Sequence, residues 1–161
     1  MVKKLVLRKE YNLWILLNHT RHAIYRAREL ELSQYGITNE QARLLFAVNM
    51  LKEKAIPTEI AKHAFRETHT ISSLVDRMAK KGLVKRVKDP SSKKIVRIVL
   101  TDEGREILHQ AMRRESLHKI ISGLDETQQE QLKSCLKILM QRSLQELRVP
   151  YKEPGSQTMF G

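Results

Sequence analysis

The 161-residue sequence predicts a mainly α-helical fold with one small β-hairpin, and three observations carry that prediction. Apolar residues recur at three- and four-residue steps through most of the chain, which is the helical period. Two short β-branched runs, LVKRVK at 83–88 and IVRIVL at 95–100, flank the turn-forming stretch Asp89-Pro90-Ser91-Ser92-Lys93-Lys94 and read as a hairpin with a basic tip. Helix starts are marked by hydroxyl or carboxylate caps: Thr38 with Gln41, Thr101 with Asp102 and Glu103, and Asp125 with Gln128.

Taken in order, Leu13, Leu16, Leu17, Ala23, Ile24, Ala27 and Leu30 lay one apolar stripe along a first helix that stops near Tyr35-Gly36. A second helix follows Thr38, with Ala42, Leu45, Phe46, Val48 and Leu51 inward. Pro57-Thr58-Glu59 opens a short third helix that buries Ile60, Ala61 and Ala64 and ends near Phe65. Residues 66–81 form a fourth, with Ile71, Leu74, Val75 and Met78 inward and Gly82 as its stop; the hairpin comes directly after. Thr101 caps a long fifth helix whose apolar positions run from Ile107 to Leu124. Asp125 caps a last one bearing Leu132, Leu136, Leu139 and Leu147 at heptad-like steps. Residues 148–161, with two prolines and two glycines, are expected to be a flexible tail.

Composition narrows the function. Lysine and arginine outnumber aspartate and glutamate by 30 to 18, a net charge of +12 that calls for a polyanionic partner. The excess is local: residues 1–28 carry +6 and residues 66–97 carry +7, whereas 98–161 are balanced. Aromatic content of 5% is too low for a binder that stacks bases on rings. One cysteine, Cys135, can form neither an internal disulfide nor a zinc knuckle, so a reduced cytoplasmic setting is expected, without cofactor or metal. Neither a membrane span nor a signal-peptide core can be written. No phosphate loop, nucleophile elbow, His-Glu metal motif or spaced carboxylate pair points to an enzyme.

The order helix, helix, short helix, helix, hairpin is that of a winged helix-turn-helix. In that arrangement the fourth helix lies in a major groove about 12 Å wide while the hairpin reaches sideways. Its outward residues would be Thr68, His69, Thr70, Ser72, Ser73 and Arg77, small hydrogen-bonding groups that approach base edges closely, plus one guanidinium. Lys93 and Lys94 at the hairpin tip, beside Lys85, Arg86, Lys88 and Arg97, suit the minor groove or the adjacent backbone.

Residues 37–104, containing ITNEQARLLFAV, PTEIAKHAF and THTISSLVDRMAKKGLVKRVKDPSSKKIVRIVLTDEG, resemble the multiple antibiotic resistance regulator (MarR) family of winged-helix repressors. SLVDRMAKKGLVKR and LTDEG are the most specific pieces, and with the long flanking helices the resemblance spans roughly residues 10–147. It implies a homodimer on a pseudo-palindromic double-stranded operator, with repression relieved by a small aromatic or apolar effector or by an oxidant. On that footing residues 1–35 and 102–147 are dimerisation helices and 36–101 the DNA-binding domain. Thr70, Ser72 and Ser73 fall at the family's major-groove readers, Arg77 at its recurring Asp-Arg pair with Asp76, and Lys94 at the wing tip. Ser92-Lys93-Lys94 replaces the family's usual Asp-Arg-Arg, which implies a wing without the Asp-Arg brace and therefore looser. Ser73 stands where many members carry a base-contacting arginine, so the operator is left open. The dimer also has a warrant of its own, because the apolar stripes of the terminal helices exceed what a small winged-helix core covers.

Sensor residues are less legible. Cys135, among Leu132, Leu136 and Leu139, is expected to pack rather than react. His19, His22, His109 and His118 are expected to be surface or cavity-lining, since a zinc site needs three or four converging ligands. His22, Tyr25, Arg26 and Phe46 sit on the helices that form the effector cleft of phenol-responsive relatives, but no ligand residue is assigned. A rival reading, a non-specific architectural DNA-binding protein without ligand control, differs in having nearly equal affinity for unrelated duplexes.

Overall fold

The computed structural model describes residues 9–64, 66–90 and 92–148, apart from the side chains of Lys93 and Lys94. Lys3, Lys4 and Arg8 and the expected tail from 149 onward lie outside the described residues. The chain divides into two compact units, residues 1–117 and 118–161.

The first unit is built around α2. Helix α1 spans Lys9–Ser33 and α2 spans Asn39–Leu51, followed by a single 3-10 turn at Lys52–Lys54. Then come α3 (Pro57–Ala64), α4 (Thr68–Lys80), strands β1 (Val84–Asp89) and β2 (Ser92–Leu100), and α5 (Asp102–Ala111). Helix α2 packs against α1, α3, α4, α5 and β2, so its Leu44, Leu45 and Val48 meet Leu32, Ile60, Val75, Met78, Ile98 and Leu108 in one core. The Thr38 capping box is present, with the hydroxyl accepting from the Gln41 N–H and the Gln41 side chain accepting from the Thr38 N–H.

Two glycines fix how α4 leads into the hairpin. Gly82, at φ +76°, takes the left-handed turn that ends α4, a conformation costly for a residue with a Cβ. Gly104 lets the first turn of α5 press on the start of β1, where a Cβ would stand 1.9 Å from the Leu83 carbonyl oxygen. Thr101 locks the same corner: its hydroxyl accepts from the Gly104 N–H at 3.0 Å and donates to the Gly82 carbonyl.

The single long helix expected after Thr101 is two helices. Helix α5 stops at Ala111, and α6 runs from Glu115 to Ile121 after a turn in which Arg114 has φ +51°. Apolar spacing continues across this break, so periodicity could not reveal it. What holds it is a charged pair on α1. Arg28, buried, donates to the Ala111 carbonyl at the end of α5. Glu31, also buried, accepts from the Glu115 and Ser116 N–H groups, both at 3.0 Å, and from the Ser116 hydroxyl. A cation at a helix C-terminus and a carboxylate at the next N-terminus satisfy orphan backbone groups and oppose the local dipoles. Arg28 Nη1 lies 2.7 Å from Glu31 Oε1 as a charge contact, without the alignment of a hydrogen bond.

The second unit contains α7, Glu126–Glu146, started by the Asp125 and Gln128 capping box. None of its residues is buried, and Leu132, Leu136, Ile138, Leu139 and Leu147 stand exposed. In the first unit, Leu13, Trp14, Leu16, Leu17 and Leu30 of α1 are exposed likewise. No helix of the described residues is long and apolar enough to cross a membrane.

Candidate nucleic-acid interface

Helix α4 is strongly two-sided. Ile71, Leu74, Val75 and Met78 are buried, which turns Thr68, His69, Thr70, Ser73 and Arg77 to solvent and leaves Ser72 half-buried. No side-chain hydrogen bond within the described residues occupies these six groups, so their donors and acceptors face outward uncommitted. The N-cap residue Glu67 makes no side-chain cap, and the first-turn N–H groups stay open as well.

Asp76 and Arg77, adjacent in sequence, differ in their partners. Asp76 holds Arg86 of β1 at 2.7 Å, an exposed bridge between helix and wing, and Arg77 is left without an ion-pair partner among the described residues. Other cations of the basic block are also committed. Arg66 pairs with Glu40 at 2.8 Å, and the Lys81 ammonium donates to the Gly36 carbonyl at 3.0 Å and to Gln41 at 3.3 Å. Arg77, Lys80, Lys85 and Lys88 are exposed and have no partner among the described residues, so the charge available to a phosphate backbone is smaller than the count of cations in residues 66–97.

Strands β1 and β2 pair antiparallel from Val84 with Leu100 to Lys88 with Val96, where the register shifts and Asp89 faces Ser92. Lys93 and Lys94 are therefore strand residues in the irregular part of β2, not residues of the turn as the sequence predicts. Nor does the wing lack a brace. Arg97 of β2 pairs with the buried Asp89 and with Glu53 of the 3-10 turn, which corrects the expectation of a loose hairpin. Sequence reasoning counted Arg97 as part of the basic tip. The signal was an acid and a base on facing strands of one hairpin.

Residues 35–95 match the model of the MarR family. That match covers the stretch from just past the end of α1 into β2. The chain is 37% identical over 87 residues to the Bacillus subtilis HTH-type transcriptional regulator YsmB, a match spanning 54% of this chain and 58% of that relative. Among solved structures, the organohalide-sensing regulator RdhR-CbdbA1625 in its 2,4-dichlorophenol-bound form has a TM-score of 0.77 at 26% identity, covering 86% of this chain and 83% of that one. The S. aureus MepR–DNA complex has a TM-score of 0.72 at 25% identity, covering 80% and 96%. The element order from α2 through α5 is that of the winged-helix architecture, and YsmB and RdhR-CbdbA1625 are both transcriptional regulators.

The remaining candidates scatter. Cys135 is exposed on α7 in the single chain. His19, His22, His109 and His118 are exposed, and no group of three or more His, Cys, Asp or Glu residues is placed to hold a metal among the described residues. Tyr25 and Phe46 do not share a cluster. The Tyr25 hydroxyl is 3.4 Å from Glu40, and burial, followed by the negative charges of Glu40 and Glu29, raises its pKa. Phe46, half-buried, meets the His63 ring at 6.4 Å and the Arg114 guanidinium at 5.6 Å. The Arg28–Glu31 pair was missed altogether, because two charges three apart on a helix read as an ordinary surface bridge.

Proposed function

We propose that this chain is a MarR-family regulator, a cytoplasmic homodimeric repressor that reads a pseudo-palindromic duplex and releases it when a small aromatic or apolar effector binds. Helix α4 enters the major groove with Thr68, His69, Thr70, Ser72, Ser73 and Arg77, and the wing brings Lys93 and Lys94 to the minor groove or adjacent backbone. The observation that supports this best is the outer face of α4. Five polar side chains with no side-chain hydrogen bond among the described residues stand beside an open helix start and the Arg77 guanidinium. Serine and threonine at such positions donate or accept at base edges, and a threonine methyl can meet a thymine methyl. Residues 36–101 then form the DNA-binding domain, residues 1–35 and 102–147 carry the dimer contacts, and half-sites lie about one helical turn apart. Release by an effector draws on the family resemblance and on the phenol-bound relative.

Titration against duplex from the gene's own upstream region and a shuffled duplex of equal length, at near-physiological salt, tests the reading. A preference of about 10³ or more for the first is expected of an operator reader. Equal and salt-sensitive binding across several genomic duplexes would favour an architectural protein instead.

A further inference from the structure

We propose that Arg97 is the positioning residue that sets the pose of the wing on DNA without contacting DNA itself. This rests on the wing being a DNA contact, as proposed above. Arg97 faces Val87 across the hairpin, one step below the place where the ladder loses register, yet its Nε donates to Asp89, two residues farther along β1 and beyond that step. The guanidinium thus spans the irregularity diagonally. Its Nη1 reaches in the other direction to Glu53 in the 3-10 turn. Close by, the Ile98 N–H donates to the Ala55 carbonyl at 2.7 Å, so β2 is stitched to the corner between α2 and α3 by one backbone bond and one side-chain bridge.

A bulge bends and twists a strand locally, and the residues beyond it take their direction from whatever holds the break. Here Lys93 and Lys94 lie inside the break, between Ser92, which faces Asp89, and Val96, which faces Lys88. A planar fork can serve two carboxylates at once, which an ammonium cannot do with the same geometry. With its side chain only 19% exposed and two carboxylates against it, Arg97 is not a phosphate ligand. Glu53 lies four residues before Pro57, the first residue of α3, so the brace fixes the wing relative to the helix pair that feeds the major groove.

The test uses the full-length protein on its operator, with hydroxyl-radical protection reporting the minor groove and N7-methylation protection the major groove. Arg97→Met and Glu53→Gln should both lose protection at the outer minor-groove positions and keep it in the major groove, with affinity falling about tenfold for Arg97→Met. Arg97→Lys should fall between. Combined with Lys93→Ala and Lys94→Ala, Arg97→Met should cost nothing further. The Glu53 side chain is 82% exposed, so Glu53→Gln keeps the test intact if Arg97→Met folds poorly. Unchanged outer protection in both brace variants, while the double lysine variant loses it, would overturn the role of Arg97 and leave the wing reading standing. Unchanged protection in the double lysine variant would overturn both.

Discussion

Glu31 shows how one residue can carry both charge and architecture. Burial raises its carboxyl pKa, but the Arg28 guanidinium against it and the hydrogen bonds from the Ser116 hydroxyl and N–H outweigh this and lower it to about 2 from 4.5. A carboxylate whose folded pKa is depressed contributes stability above its unfolded pKa and loses it as pH falls toward the folded value. The contribution should therefore be complete above pH 4.5 and be withdrawn between 4.5 and about 2. The expected loss is about 3 kcal/mol over that interval. Urea unfolding at stepped pH should show this slope in the native protein and a much flatter one in Glu31→Gln, which at neutral pH should already be less stable by about 3 kcal/mol through the buried Arg28 left behind. Equal acid slopes in the two proteins would remove Glu31 from this role.

At the scale of elements, α4 carries the first test of the proposed function. Arg77 lies on the exposed side of α4 and has no ion-pair or side-chain hydrogen-bond partner among the described residues, so Arg77→Ala should leave the thermal midpoint within about 2 °C of the parent while weakening operator binding by about 1–3 kcal/mol. Operator affinity unchanged in a fluorescence-anisotropy titration would take Arg77 out of the interface. The elements themselves were largely legible, because amphipathic spacing, the Thr38, Thr101 and Asp125 caps and the glycine after α4 are local signals, and the structure carries each of them. Two features were not. The break at Arg114 is held by residues more than 80 positions away in sequence, which no window on α5 and α6 can sense. The division of cations between free and internally paired depends on which carboxylates the fold brings near. Asp76, Asp89 and Glu40 claim Arg86, Arg97 and Arg66, a choice the composition does not encode. On the candidate site, five of the six α4 side chains expected to face outward are exposed and Ser72 is half-buried, since the outward face follows from the same period that buries Ile71 and Met78.

At the scale of the whole molecule, the apolar surface exceeds what one chain covers. Leu13, Trp14, Leu16 and Leu30 in one unit, and Leu132, Leu136, Ile138 and Leu139 in the other, stand between 41% and 63% exposed. Large side chains exposed in contiguous stripes mark an association surface, and a closed two-fold pairing buries the same stripe from each copy. Such a pairing also duplicates α4, which makes operator affinity depend on assembly: one half-site gives little more than backbone attraction, two give a specific complex. Sedimentation at micromolar protein should therefore return twice the chain mass. Leu16→Glu with Leu136→Glu, each at an exposed position, should shift the population to monomer and reduce operator affinity by about 10³-fold. A half-site duplex should be bound with nearly the same affinity by parent and variant, because the contacts of a single α4 are untouched. Parent protein that sediments as a monomer yet holds the full operator tightly would exclude the dimer, and the exposed leucines would then need another partner.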